Sequence, residues 1–252
     1  MASTLKLTVV TAVYNNRSFV GDALRSVLAQ DYPRVEVIVV DGGSTDGTLE
    51  ILREFQDNIA SLISEPDHGV YDALNKGIAK ATGDVVSFLH SDDVYDSPSV
   101  VSAVMQRFED ARTDAAYGDL VYVDRTNGTR VIRTWRSGPF SRIDLYTGWM
   151  PPHPAFFMRR ARYQEWGAFD TSFRIAGDYD ALLRYLWTHR ARCAYVGRTL
   201  VRMRIGGISN RSLSSLIRKS REDVRALRKN GVPTFPAIVL KPLRKMSQYW
   251  DD

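Results

Sequence analysis

The sequence predicts an α/β protein with a Rossmann-like, mostly parallel central sheet, and three observations carry that expectation. Apolar runs rich in β-branched residues alternate with segments of helical spacing through residues 5–110. The run VEVIVV at 35–40 is apolar with one exception, as a strand covered on both faces should be. The resulting βαβαβαβ order suits parallel strands joined by helices that cover both faces of the sheet.

Taken in order, residues 5–13 (LKLTVVTAV) read as a strand, 17–30 as a helix with apolar residues at helical spacing, and 35–40 as a buried strand. Residues 48–57 then read as a helix, 61–66 as a strand, 71–81 as a helix, 84–91 as a strand and 97–110 as a helix. The second half changes character. Residues 115–134 suggest a strand pair turning at Thr126-Asn127-Gly128, 153–160 a strand, 179–190 a helix and 191–197 a strand. Residues 212–231 form a long basic amphipathic helix stopped by Gly231, and 235–250 a second, shorter amphipathic element. No internal repeat or low-complexity tract interrupts this order.

The 252 residues, 44% hydrophobic and 25% charged, describe an ordinary globular chain with room for a sizeable core. Cys193 is the only cysteine, which excludes an intrachain disulfide and a cysteine-rich metal site and suggests a reducing, cytoplasmic compartment. The N-terminus lacks the basic and apolar regions of a signal peptide, and no run approaches the ~18 apolar residues of a membrane span. The net charge of +5 is uneven: residues 198–252 carry 13 Lys+Arg against 4 Asp+Glu, so the rest of the chain is acidic. No nucleic-acid-binding signature accompanies this basic end, which favours an anionic membrane surface over nucleic acid as its partner. A solvated helix face explains the charge about as well.

Candidate site residues cluster where strands end. Asp41 closes the run VVD and is followed by Gly42-Gly43, a pattern that suits either a turn or a ligand. His90-Ser91-Asp92-Asp93 follows the strand run ending at Leu89, and adjacent carboxylates there ask for a cation or hydrogen-bond donors. Asp93 or Ser97 could instead cap the next helix. The first strand leads into TAVYNN rather than a glycine-rich phosphate loop, so phosphates must be held another way. In open α/β sheets ligands lie beyond the carboxyl ends of the strands, where Asp41 and the acidic pair both fall. A nucleotide-diphosphate site is the better reading of the two together.

The segments VVTAVYNN, VVDGGSTDGT, EPDHGVYDALNKGIAKATGD, FLHSDD and AGDYDALLR, in this order over roughly residues 5–190, resemble the family 2 glycosyltransferases, inverting sugar-nucleotide enzymes of the GT-A fold. Within that family the likeness is to bacterial enzymes that build cell-surface polysaccharides. The resemblance implies that Asp41 hydrogen-bonds the nucleotide base, with Thr11, Ala12 and Tyr14 shaping the base pocket. It implies that Asp92 contacts the ribose or shares the metal, and that Asp93 is the ligand for Mn²⁺ or Mg²⁺. His90 stands where an aspartate or asparagine is common. Asn75, Lys76 and Gly77 match the family's NxG turn, but Leu74 replaces an arginine, which leaves Lys76 or a basic residue from elsewhere to meet the diphosphate. Gly177 replaces a glutamate, and Asp178 aligns with the aspartate that serves as general base. Asp180 is its internal rival, read as structural. Asp46, with Thr45, is expected to cap the helix at residue 48. His153 falls near the diphosphate or acceptor, although a histidine before a proline is more often structural. Trp135, Trp149 and Tyr71 could offer faces to a sugar, but aromatics are mostly core.

The implied organisation is a catalytic domain over residues 1–205, with a nucleotide-binding half at 1–112 and an acceptor-binding half at 113–205. Residues 206–252 are expected to form a basic helical extension. The expected partners are a nucleotide-sugar donor (UDP-linked by preference), a polyprenyl-diphosphate-linked glycan acceptor and, through the extension, the inner face of an anionic membrane. A sugar nucleotidyltransferase and a non-catalytic nucleotide- or glycan-binding subunit are the alternatives. The first should carry a basic glycine-rich loop after its first strand, which TAVYNN is not.

Overall fold

The structure, a computed structural model, describes residues 5–206 and 213–247. Nine strands form one sheet: β1 (Leu7–Val13), β2 (Val35–Asp41), β3 (Ser61–Ser64), β4 (Val85–Phe88), β5 (Val94–Tyr95), β6 (Ala115–Val123), β7 (Val131–Trp135), β8 (Phe156–Arg159) and β9 (Cys193–Arg204). The strand order is β3-β2-β1-β4-β8-β6-β9-β5, with β7 added to β6. Strands β3, β2, β1 and β4 are mutually parallel, as expected. Beyond β4 the sheet is mixed. β8 runs antiparallel to both β4 and β6, and β9 returns parallel to β6.

Both faces of the sheet are covered. Leu7, Val9 and Val13 of β1 pack with α1 (Val20–Leu28), α2 (Thr48–Glu54) and α4 (Val100–Met105). On the other face, Val10, Ile38 and Val40 meet α3 (Val70–Lys80), α5 (Arg160–Trp166) and α6 (Gly177–Leu183). The alternation of Val9 and Val10 between two cores is why the run is apolar at successive positions. Gly77 lies inside α3, so the expected NxG turn is instead helix. A Cβ there would stand 2.2 Å from a Val10 methyl, and the glycine lets the helix sit close on β1. Asn75 spends its amide on the backbone of Phe169, donating at 2.8 Å and accepting at 2.9 Å.

Three further departures have local causes. The HPA stretch expected in a strand is a 3-10 turn, and β8 begins only at Phe156. β9 runs on to Arg204 rather than stopping near residue 197, because an irregularity opposite Gly118 lets the strand bend and continue. A short helix, α5, follows β8 unannounced.

The basic end is part of the domain over its described residues. α7 (Leu213–Lys229) packs on α6 through buried Ala226 and Leu227, and α8 (Thr234–Ser247) buries Ala237 beside Gly148. Residues 248–250 of the expected second amphipathic element lie outside the described residues.

Candidate active site

The loops after β1, β2 and β4 are laced together at the carboxyl edge of the parallel strands. Asn15, in the left-handed region at φ 47°, donates its N–H to Ser44 Oγ at 2.8 Å and accepts from Thr45 N–H at 2.9 Å. Asn16 donates its N–H to Thr48 Oγ1 and its side-chain amide to Ser91 Oγ, both at 2.8 Å. Asp46 receives the N–H of Arg17 at 3.1 Å and both the N–H and hydroxyl of Thr48. It is helix punctuation, as expected, but through an Asx turn onto Thr48; Thr45 takes no part in the cap and Gly47 occupies the N-cap position.

Asp41 ends β2 opposite Val13 and is fully buried. Its carboxylate accepts from the N–H and hydroxyl of Ser44 and from Ser64 Oγ at 2.7 Å. Thr11 is likewise buried, with its hydroxyl unpartnered, while Tyr14 is 60% exposed above the strand ends. A Cβ at Gly42 would meet Asp67 Oδ2 at 2.6 Å and the Tyr14 ring at 3.4 Å, so the missing side chain keeps a slot open between them. Asp67 is a carboxylate at this edge that the sequence reading did not single out.

The acidic pair divides by burial. Asp93 is fully buried, neither of its oxygens has a partner, and burial beside Asp92 pushes its carboxyl well above the usual range. Asp92 keeps 23% of its side chain exposed and lies 3.7 Å from Arg125. His90, held neutral by burial, feels the negative charges of both Asp92 and Asp178. Unpartnered carboxylate oxygens and a neutral imidazole suit a divalent cation. Among the described residues no three His, Cys, Asp or Glu side chains converge on one point, so such a cation would need oxygens from a ligand.

Two cations the sequence reading missed stand at this place. Arg204, at the end of β9, donates to the Asp92 carbonyl and to Asp22 Oδ2, each at 2.9 Å. Arg204 and Arg125 lie on the Phe19 ring, each guanidinium 4.7 Å from its centre. The period-two spacing of Arg202 and Arg204 was the available signal, since it marks a strand running past residue 197. Lys76, by contrast, is engaged by Glu65 at 2.7 Å and Asp72 at 3.4 Å.

Asp178 sits in the first turn of α6, accepting from the Tyr179 N–H at 2.8 Å and facing the Tyr71 hydroxyl at 3.4 Å. Asp180 is fully buried and accepts from Arg184, Lys229 and Asn230, a structural role. His153 is buried behind His90, its ring centre 6.0 Å away and stacked 5.2 Å from Phe88; burial pushes its imidazole down to about 3. Trp149 is core, donating to the Ser137 carbonyl at 3.0 Å, and Trp135 packs against the other core cluster, the one that contains Val9 and Leu120.

The family model described as "Glycosyl transferase family 2" matches residues 8–176. An uncharacterized glycosyltransferase of Mycobacterium tuberculosis is 35% identical over 191 residues, covering 73% of this chain and 70% of that protein. A PGL/p-HBAD biosynthesis glycosyltransferase of Mycobacterium bovis is 30% identical, covering 70% and 68%. Among solved structures, Staphylococcus aureus TarS in complex with UDP-GlcNAc superposes with a TM-score of 0.68 at 20% identity, over 90% of this chain and 65% of that one. The Pyrobaculum calidifontis mannosyltransferase PcManGT, in complex with GDP-Man and Mn²⁺, gives 0.65 at 20% identity, over 98% and 70%. At such identities the two structures establish the shared GT-A fold.

Proposed function

Since this chain belongs to glycosyl transferase family 2 and is a glycosyltransferase, we propose that it moves a sugar, with inversion, from a nucleoside-diphosphate sugar to the hydroxyl of a glycan acceptor. The observation that carries this reading is the fully buried Asp93, whose carboxylate oxygens have no hydrogen-bond partner, just past the end of β4 on the edge of the parallel sheet where β2 ends in Asp41. An unpaired buried carboxyl at that edge suits a cation that would take up charge on a departing diphosphate.

Thr11, Ala12, Tyr14 and Asp41 frame the base pocket, with Asp41 exchanging its Ser44 hydroxyl partner for an N–H of the base. UDP is the preferred nucleotide. A divalent cation held by Asp92 and Asp93, with His90 beside them, would neutralise charge on the leaving diphosphate. Arg125 and Arg204 supply the positive charge that Leu74 leaves missing, a task for which Lys76 is poorly placed. The Asp178 carboxylate takes the proton of the acceptor hydroxyl as its oxygen bonds to the anomeric carbon. The bond to the diphosphate oxygen breaks on the opposite face, and the nucleoside diphosphate leaves with that electron pair. His153 supports His90 from behind.

The acceptor we infer is a lipid-linked glycan, by analogy with the glycolipid pathway named for the M. bovis relative. Basic Arg218, Arg221 and Arg228 on α7 are exposed, as are Ile217, Phe235 and Ile238. Their combination supports reversible attachment to an anionic membrane on its cytoplasmic side. No helix among the described residues is long and apolar enough to cross a membrane. Asp178→Asn tests the mechanism: turnover should fall ~10² to 10⁴-fold with donor binding kept, and a loss below ~10-fold would remove Asp178 from the base role.

A further inference from the structure

The C-terminal helix α7 packs on α6, the helix that carries Asp178. Glu222 of α7 directs its carboxylate at three successive backbone N–H groups just before α6: Arg174 at 3.3 Å, Ile175 at 2.8 Å and Ala176 at 2.9 Å. All three donors lie before the first helical residue, Gly177, where no carbonyl of α6 can accept from them, and they are met instead by a residue 46 positions beyond Ala176. From the other side, the Tyr71 hydroxyl donates to the Ile175 carbonyl at 2.7 Å. Its ring fills the space over Gly177, where a Cβ would come within 2.7 Å. The loop that launches Asp178 is thus clamped between α3 and α7.

Further contacts place α7 on both flanks of Asp178. Arg225 donates to Ser172 Oγ at 2.7 Å, and Lys229 bridges Asp170 at 2.8 Å and Asp180 at 3.0 Å. Lys241 of α8 bonds Asp223 at 2.9 Å and lies 3.3 Å from the centre of the ring of Tyr179, the residue after Asp178.

We propose that α7 completes the catalytic site, with Glu222 as a positioning residue that sets the orientation of Asp178 by gathering the three N–H groups before it. The role rests on Asp178 being the general base. An anionic acceptor shared by consecutive N–H groups fixes a backbone direction that a flexible loop would otherwise lose. A misaimed base slows proton removal while leaving the donor pocket unchanged.

The test compares Glu222→Ala, Glu222→Gln and Asp178→Asn with the unaltered full chain. Amide hydrogen exchange needs no substrate: residues 174–180 should exchange at least ~10-fold faster in Glu222→Ala, less so in Glu222→Gln, with β1, β2 and β4 still protected. Nucleoside diphosphate release from UDP-GlcNAc and GDP-mannose should show kcat reduced ~10-fold or more in Glu222→Ala, with donor KM changed less than ~3-fold and partial recovery in Glu222→Gln. Unchanged exchange at 174–180 overturns the proposal. So does loss of sheet protection in both Glu222 variants, because Glu222 would then hold the fold rather than the loop. If Asp178→Asn is impaired and Glu222→Ala is not, the positioning role fails and the base role stands. If Asp178→Asn retains full turnover, the base role itself fails.

Discussion

At the scale of single residues, the site depends on what neighbouring side chains leave free. Gly177 stands where the family resemblance leads one to expect a glutamate, and a side chain there would meet the Tyr71 ring, which already occupies the space. Gly177→Ala should displace that ring and cost about 1–3 kcal/mol in chemical denaturation, a price set by overpacking rather than by backbone strain. Asp41→Asn should weaken UDP binding by about 10-fold in calorimetry, because a carboxylate that accepts from the base would become an amide with only one accepting oxygen. Unaltered affinity would return Asp41 to a turn residue holding Ser44 and Ser64. Asp41, Asp92 and Asp178 were legible from the chain because each sits at the boundary of a locally patterned element. Arg125, Arg204, Asp67 and Glu222 were not, since their importance arises from contacts between segments far apart in sequence. The ion pairing of Lys76 was hidden for the same reason: Glu65, its closer partner, lies outside its helix.

At the scale of elements, the parallel half was readable because every strand and helix there announces itself by periodicity within a short window. The mixed half was less so. Insertion of β8 between β4 and β6, and the extension of β9, depend on pairing choices that no local window contains. Helix α7 was legible as a basic amphipathic helix, with an anionic membrane surface or solvent as the partner of its charged face. What its sequence did not show is where the other face docks: buried Ala226 and Leu227 and the ion pairs of Lys229 hold it on α6. Two predictions belong here. Gly77→Ala should destabilise the protein by about 1–3 kcal/mol, measured by denaturant midpoint, since α3 must move off Val10. Replacing Phe235, 80% exposed, by aspartate should lower partition onto anionic vesicles several-fold without changing the melting temperature. Unchanged partition would leave α8 as a packing element alone.

For the whole molecule, the two rims of the sheet divide stability from chemistry. At the amino rim, Glu36 is buried against the cost of its charge, offset by Lys6 at 2.6 Å, Thr8 at 2.5 Å and Thr82 at 2.6 Å. Burial alone would raise its carboxyl, but these donors win and lower it to about 2. Its contribution, about 3 kcal/mol, should be full above pH ~5 and disappear as the pH falls from ~4.5 through ~2. Acid titration of the melting temperature should therefore be flatter in Glu36→Gln than in the unaltered protein. At the carboxyl rim the arrangement of Asp41, Asp92 and Asp178 is proposed to serve transfer. The most direct measurement of that claim is product analysis after incubating the protein with nucleotide sugars and Mn²⁺. The account predicts release of the nucleoside diphosphate, dependent on both Asp92 and Asp178 and accelerated by a glycan acceptor. Pyrophosphate made from a nucleoside triphosphate, or diphosphate release indifferent to Asp178→Asn, would contradict it.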